Sequence, residues 1–124
     1  MSNETQFAFL PATATRGALS IEYRWIDAAR AEAPLAVFLH EGLGSIAMWR
    51  DWPDTLCERL GMRGLVWSRP GYGRSTPRPH DVTWPVDFLS RQAHDVLPAL
   101  LDALGIDVAT RERMWVIGHS DGAT

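Results

Sequence analysis

The sequence contains no lysine: all twelve of its basic residues are arginine, set against fifteen acidic ones, for a formal net charge of −3 over 124 residues. That absence excludes the phosphate-binding lysine of a P-loop and any lysine Schiff base. The slightly acidic balance gives no electrostatic attraction to nucleic acid or to an anionic membrane surface, so neither is expected as a partner. Cysteine is represented once, by Cys57, which excludes an intramolecular disulfide and a cysteine-based zinc cluster. Cys57 reads as a small buried hydrophobe on a helix. No apolar run approaches the roughly 20 residues that a bilayer-spanning helix needs. The start, Met1-Ser2-Asn3-Glu4-Thr5, lacks the basic segment and apolar stretch of a secretory signal, so a cytoplasmic location is expected.

With 46% hydrophobic and 22% charged residues, the chain has the composition of a globular protein able to bury one core. Phe7 to Pro11 and Ile21 to Ile26, separated by Gly17, read as a hairpin in which Ile21, Tyr23 and Trp25 alternate with polar neighbours. Leu35 to Leu39 is an unbroken apolar run, the pattern of a strand covered on both faces. Trp49, Trp52, Leu56 and Leu60 recur at helical spacing, with Pro53 in a first turn and Gly61 as a C-terminal cap. Leu65-Val66-Trp67 is a second covered strand, leading into a glycine-rich turn from Ser68 to Ser75. A stripe running from Phe88 to Leu104 predicts a long helix kinked at Pro98 and ended by Gly105. Met114 to Ile117 is a third covered strand. The order β β β α β α β, with apolar strands between amphipathic helices, implies a mostly parallel sheet with helices on both faces.

Directly after the last strand, Gly118-His119-Ser120-Asp121-Gly122 fits G-x-S-x-G. A nucleophile at the tip of a sharp strand-to-helix turn brings together the residues two before and two after it, so both must be small. Glycine fills both places here. Moving the nucleophile to Asp121 would put His119 and Ala123 there, and histidine is too large. Ser120 is therefore the candidate nucleophile. Two further segments also end apolar strands: His40-Glu41-Gly42-Leu43-Gly44-Ser45 and Arg69-Pro70-Gly71-Tyr72-Gly73-Arg74-Ser75.

These three segments, in this order, resemble the oxyanion-hole loop, the G-[FY]-G-x-S turn and the nucleophile elbow of the α/β-hydrolase family, and the resemblance covers essentially the whole chain. It implies an α/β fold in which residues 1–124 are an incomplete N-terminal part of a single domain, ending at the elbow after the fifth strand. It implies a serine that attacks a carbonyl carbon, rather than the aspartate nucleophile of epoxide hydrolases and dehalogenases. The oxyanion in such enzymes is held by the backbone N–H of the residue after the nucleophile and by one from the loop after the third strand. Here these are Asp121 and, counting from His40, Gly42, which leads the amides of the Glu41 to Leu43 stretch. Each such donor contributes about 3 to 4 kcal/mol to transition-state stabilisation. The family default is a small carboxylic ester or related acyl substrate, and no metal or organic cofactor is implied.

Other residues have plainer expectations. His40 holds the loop through hydrogen bonds to backbone, His119 supports the elbow, and His80 and His94 lie on a loop and a helix surface. Arg69 and Arg74 are expected on a solvated turn, the side chain of Asp121 caps the following helix, and the six tryptophans serve packing.

All four histidines precede Ser120, whereas the family's acid and histidine follow the nucleophile. Loss of a triad member can lower turnover about 10⁶-fold, so the 124-residue chain alone is expected to be nearly inert. Its last strand is expected to form an open apolar edge prone to self-association. Two other readings compete. Gly42 to Ala47 fits the dinucleotide-binding pattern G-x-G-x-x-[GA], but the match leaves Gly118 to Gly122 without a role. The chain could also be a non-catalytic binding module that pairs through its open edge.

Overall fold

A computed structural model describes residues 4–14, 16–27, 32–40, 46–77 and 95–118. The hairpin forms as expected: β1 (Gln6–Leu10) pairs antiparallel with β2 (Leu19–Ile26), with Ala8 opposite Ile21. Next comes β3 (Leu35–Leu39), followed by two short helices, α1 (Ile46–Trp49) and α2 (Trp52–Leu60). After β4 (Arg63–Trp67) come α3 (Leu97–Ala103), α4 (Val108–Glu112) and β5 (Trp115–Gly118). The five strands form one sheet in the order β1-β2-β4-β3-β5. β3 pairs parallel with both β4 and β5, and β2 pairs antiparallel with both β1 and β4, so β2 alone runs against the rest.

From β3 the chain crosses to β4 on one side, then from β4 back over β3 to β5 on the other. Right-handed crossovers in opposite directions place their helices on opposite faces. Two apolar clusters occupy those faces. One gathers Ile26, Ala36, Phe38, Cys57, Met62 and Val66 under α2. The other gathers Leu10, Ile21, Val37, Leu65, Trp67 and Leu100 under α3. Alternate residues of β3 serve opposite clusters, which is why its sequence is an apolar run rather than an alternation.

The single helix expected from Trp49 to Leu60 is broken. A proline ring clashes with the carbonyl four residues back, and for Pro53 that residue is Trp49. The chain escapes through Arg50, whose φ is 57°, and α2 starts afresh with Pro53 in its first turn. Trp49 and Trp52 still stack, with ring centroids 5.6 Å apart, and both present edges to Phe38. Gly61 caps α2 in the left-handed region, φ 65°, and Met62 N–H closes the turn onto the Cys57 carbonyl at 2.9 Å. Gly105, φ 72°, ends α3 in the same way through Ile106 N–H and the Leu101 carbonyl.

The Phe88 to His94 half of the long helix expected in this region lies outside the described residues. Pro98 falls in the first turn of α3, and Asp95 and Val96 ahead of it already follow a wider, π-type helical turn, with Val96 at φ −72° and ψ −48°, so the helical form changes at this proline. The short helix α4 was not expected. Its signal is Asp107, which accepts the Thr110 N–H at 2.8 Å as an N-cap. Among the described residues, no helix is long and apolar enough to cross a membrane.

Two expectations about burial fail. Glu22 and Arg24, read as the outward face of an alternating strand, are only 5% and 8% exposed, because α1, α2 and the turn after β4 cover that face. Trp52, Trp115 and Val116, read as core, are 49%, 64% and 50% exposed. For the last two the reason is position, since among the described residues β5 pairs with β3 alone.

Candidate active site

The three parallel strands end at one edge of the sheet. Pairing of Phe38 with Val66 and of Leu39 with Gly118 sets their carboxyl ends level. His40 leaves β3 and Ser68 leaves β4 at this edge, where β5 ends at Gly118. The connections from β3 to β4 and from β4 to β5 run in opposite directions, which makes the ends of β3 and β5 a topological switch point, the usual ligand crevice of open α/β sheets. Ser120, Gly42 and Asp121 lie outside the described residues. What is described is the framework on both sides of them: His40 and Ile46 flank the loop that holds Gly42, and Gly118 stands two residues before Ser120.

That framework is built from buried polar groups. His40 is 2% exposed and its Nε2 accepts the Arg69 backbone N–H at 3.0 Å, a role open only to an unprotonated ring nitrogen. The His40 carbonyl accepts from Arg69 Nη2, also at 3.0 Å. His40 thus holds the loop through backbone, as its place after β3 suggests. Arg69 does not lie on a solvated turn. It is 3% exposed, its guanidinium stands over the Tyr72 ring at 5.5 Å from the centroid, and the same ring meets His40 edge-on. Burial is favourable here because the long stem is covered while the cationic head keeps a carbonyl and an aromatic face. Arg74 does remain exposed, against Phe7.

A second group joins β2 to the end of β4. The Ser68 hydroxyl donates to Glu22 Oε1 at 2.7 Å, and the Arg74 backbone N–H donates to the same oxygen at 2.9 Å. The Ser75 hydroxyl donates to the Ser68 carbonyl at 2.7 Å and accepts the Glu22 N–H at 2.9 Å. These groups were not singled out in the sequence, where Glu22 looks like the polar half of an alternation. The usable signal was the serine pair that brackets the glycine-rich turn.

A cavity of about 600 Å³ lies on the α1 side of β2, with Glu22, Arg24, Ile46, Arg50, Asp54 and Arg74 among its lining residues. Arg24 is fixed there by Asp54 through a two-pronged contact at 2.8 and 3.1 Å. β2 stands three strand positions from β5, roughly 14 Å across the sheet, so this cavity lies away from the end of β5. Among the described residues, no three histidine, cysteine or acidic side chains are placed to hold a metal ion.

No protein-family profile and no curated protein matches the chain. Solved structures do. A hydrolase from Pseudomonas aeruginosa PA01 is 32% identical, with a TM-score of 0.64 over 94% of this chain and 37% of its own. An epoxide hydrolase of potato, Solanum tuberosum, is 26% identical, with a TM-score of 0.67 over 97% of this chain and 33% of its own. A bacterial membrane phospholipase A shares the fold at 19% identity and a TM-score of 0.69, over 96% of this chain and 32% of its own. The chain therefore spans about a third of the length of the structures it matches.

Proposed function

Taking as premise that this chain has the α/β-hydrolase fold, over about a third of the length of the solved structures that share it, we propose that it supplies the nucleophile and oxyanion hole of a serine hydrolase. The observation that carries this reading is the level ending of β3 and β5, Leu39 opposite Gly118. It brings Leu39 and Gly118, which precede Gly42 and Ser120 in the sequence, side by side, as an oxyanion hole made from one amide of each segment requires. In the proposed reaction the Ser120 hydroxyl attacks the carbonyl carbon of a small carboxylic ester. Its proton passes to a base, and the Gly42 and Asp121 N–H groups stabilise the oxyanion. Collapse expels the alcohol and leaves an acyl-enzyme that water then hydrolyses. The reading requires a base and an acid from outside residues 1–124, since no histidine follows Ser120.

The potato protein's name assigns it to epoxides. For this chain the glycines at positions 118 and 122 favour the serine register over the aspartate one, and hence an acyl substrate. In the longest natural form of the protein, a p-nitrophenyl ester is expected to give a burst of one equivalent of nitrophenol per chain, absent in Ser120→Ala. A Ser120→Ala protein with full turnover would overturn the reading. A thermal shift with NAD or NADP would instead favour dinucleotide binding through Gly42 to Ala47.

A second reading is supported by the exposed Trp115 and Val116 on the one-sided strand β5. In this reading the 124-residue chain is not catalytic and associates with a second copy through that edge. Trp115→Lys is expected to reduce the self-associated fraction in sedimentation velocity while changing stability by less than about 0.5 kcal/mol. Unchanged association in this variant would remove the reading.

A further inference from the structure

Residues 41–45 join β3 to α1, and two consecutive residues at the end of β4 hold both ends of that loop. Arg69 holds the entry, through the two bonds to His40 described above. Ser68 holds the exit: its hydroxyl oxygen accepts the Ile46 N–H at 3.0 Å. A hydroxyl carries one rotatable proton and two lone pairs, so Ser68 accepts best from Ile46 when a partner holds that proton turned away from it. Glu22 holds it, by accepting from Ser68 Oγ at 2.7 Å. The carboxylate is itself held in place. The Arg74 N–H lies on the same oxygen, and Ser75 ties the Glu22 N–H to the Ser68 carbonyl. The bonds run in one direction: Ile46 N–H to Ser68 Oγ, then Ser68 O–H to Glu22 Oε1.

We propose that Glu22 is a positioning residue for the oxyanion loop, orienting Ser68 so that it fixes the Ile46 amide and with it the point where the Gly42 loop enters α1. Oxyanion donors act only within a few tenths of an ångström of their proper distance, so a slackened loop end would be felt at the reacting centre. The catalytic part of this inference rests on the serine-hydrolase reading, whereas the hydrogen-bond chain does not.

Hydrogen exchange at the Ile46 amide tests the chain, with the Val37 and Leu65 amides of the β3–β4 pairing as the reference for global opening. Ser68→Ala and Glu22→Ala are expected to raise Ile46 exchange about fivefold relative to that reference, the scale of one lost hydrogen bond. Glu22→Gln keeps a carbonyl that can accept from Ser68, folds with the same shape, and is expected to stay within about twofold. Unchanged Ile46 exchange in Ser68→Ala, or equal acceleration in the Gln and Ala variants, overturns the proposal. Kinetics on the longest natural form separates it from the reading it rests on. There, Glu22→Ala is expected to lower kcat about tenfold with little change in KM, with Glu22→Gln restoring most of it. If hydrolysis survives Ser120→Ala, the hydrolase reading fails and the exchange pattern still stands. If hydrolysis needs Ser120 but the exchange pattern is absent, the positioning role alone fails.

Discussion

β4 and β5 both pair parallel with β3, one on each side, and both are short apolar runs followed in sequence by a glycine-containing segment. Their surroundings are opposite. β4 lies between β2 and β3, its last four residues are buried, and the residues that follow it are tied to β2, β3 and α1 by buried hydrogen bonds. Among the described residues β5 has one neighbour, and Trp115 and Val116 are exposed. The difference teaches that an apolar run specifies a strand but not what covers it. Covering comes from the order of strands and the crossovers between them, which are set by distant parts of the chain.

The comparison is broken most forcefully by matched truncations. Leu65→Ala on β4 removes a fully buried side chain and is expected to destabilise by about 2 to 5 kcal/mol. Val116→Ala on β5, half exposed, is expected to change stability by less than about 1 kcal/mol. Equilibrium denaturant unfolding of both variants checks this. Equal losses would mean that the β5 edge is covered in solution.

Close approach on the β4 side offers a smaller effect. A Cβ at Gly64 would lie 2.8 Å from Cys57 Sγ, with Ile26 and Phe38 also in contact. Gly64→Ala is expected to destabilise by about 1 to 3 kcal/mol through overpacking, and Cys57→Ala in the same chain should recover part of the loss. No recovery would show that α2 does not press on β4 as described.

The smallest effect lies just before β5, at α4. The Asp107 carboxyl is held below its ordinary range, first by the Thr110 side chain and then by the Thr110 N–H. A carboxylate with a lowered folded-state pKa stabilises the fold above its unfolded pKa, and that contribution fades as pH falls through the folded value. Asp107→Ala is therefore expected to lower Tm slightly at neutral pH and not at all in strong acid. A Tm difference that persists in acid would contradict the cap.

Much of this was legible in the sequence because it is local. The left-handed caps at Gly61 and Gly105, the apolar run of β3 and the hairpin of β1 and β2 each follow from neighbouring residues. The break before α2 was also readable, since Pro53 forbids a continuous helix through Trp49. The burial of Glu22 and Arg69 was not, because each is compensated by groups far along the chain: Ser68 and Arg74 for the first, the His40 carbonyl for the second. A polar residue in a strand reads as outward unless its distant partner is known. Of the candidate site, the sequence supplied Ser120, Gly42 and Asp121 by motif, while the structure supplied the frame on which they would stand.

The central claim is that Ser120, two residues after β5 in the sequence, is a nucleophile. Reaction of the longest natural form with a fluorophosphonate probe, followed by peptide mass spectrometry, tests it most directly. The account predicts one adduct per chain, on Ser120, lost in Ser120→Ala and weakened in Glu22→Ala. Labelling that persists unchanged in Ser120→Ala, or an adduct on a different residue, would contradict it.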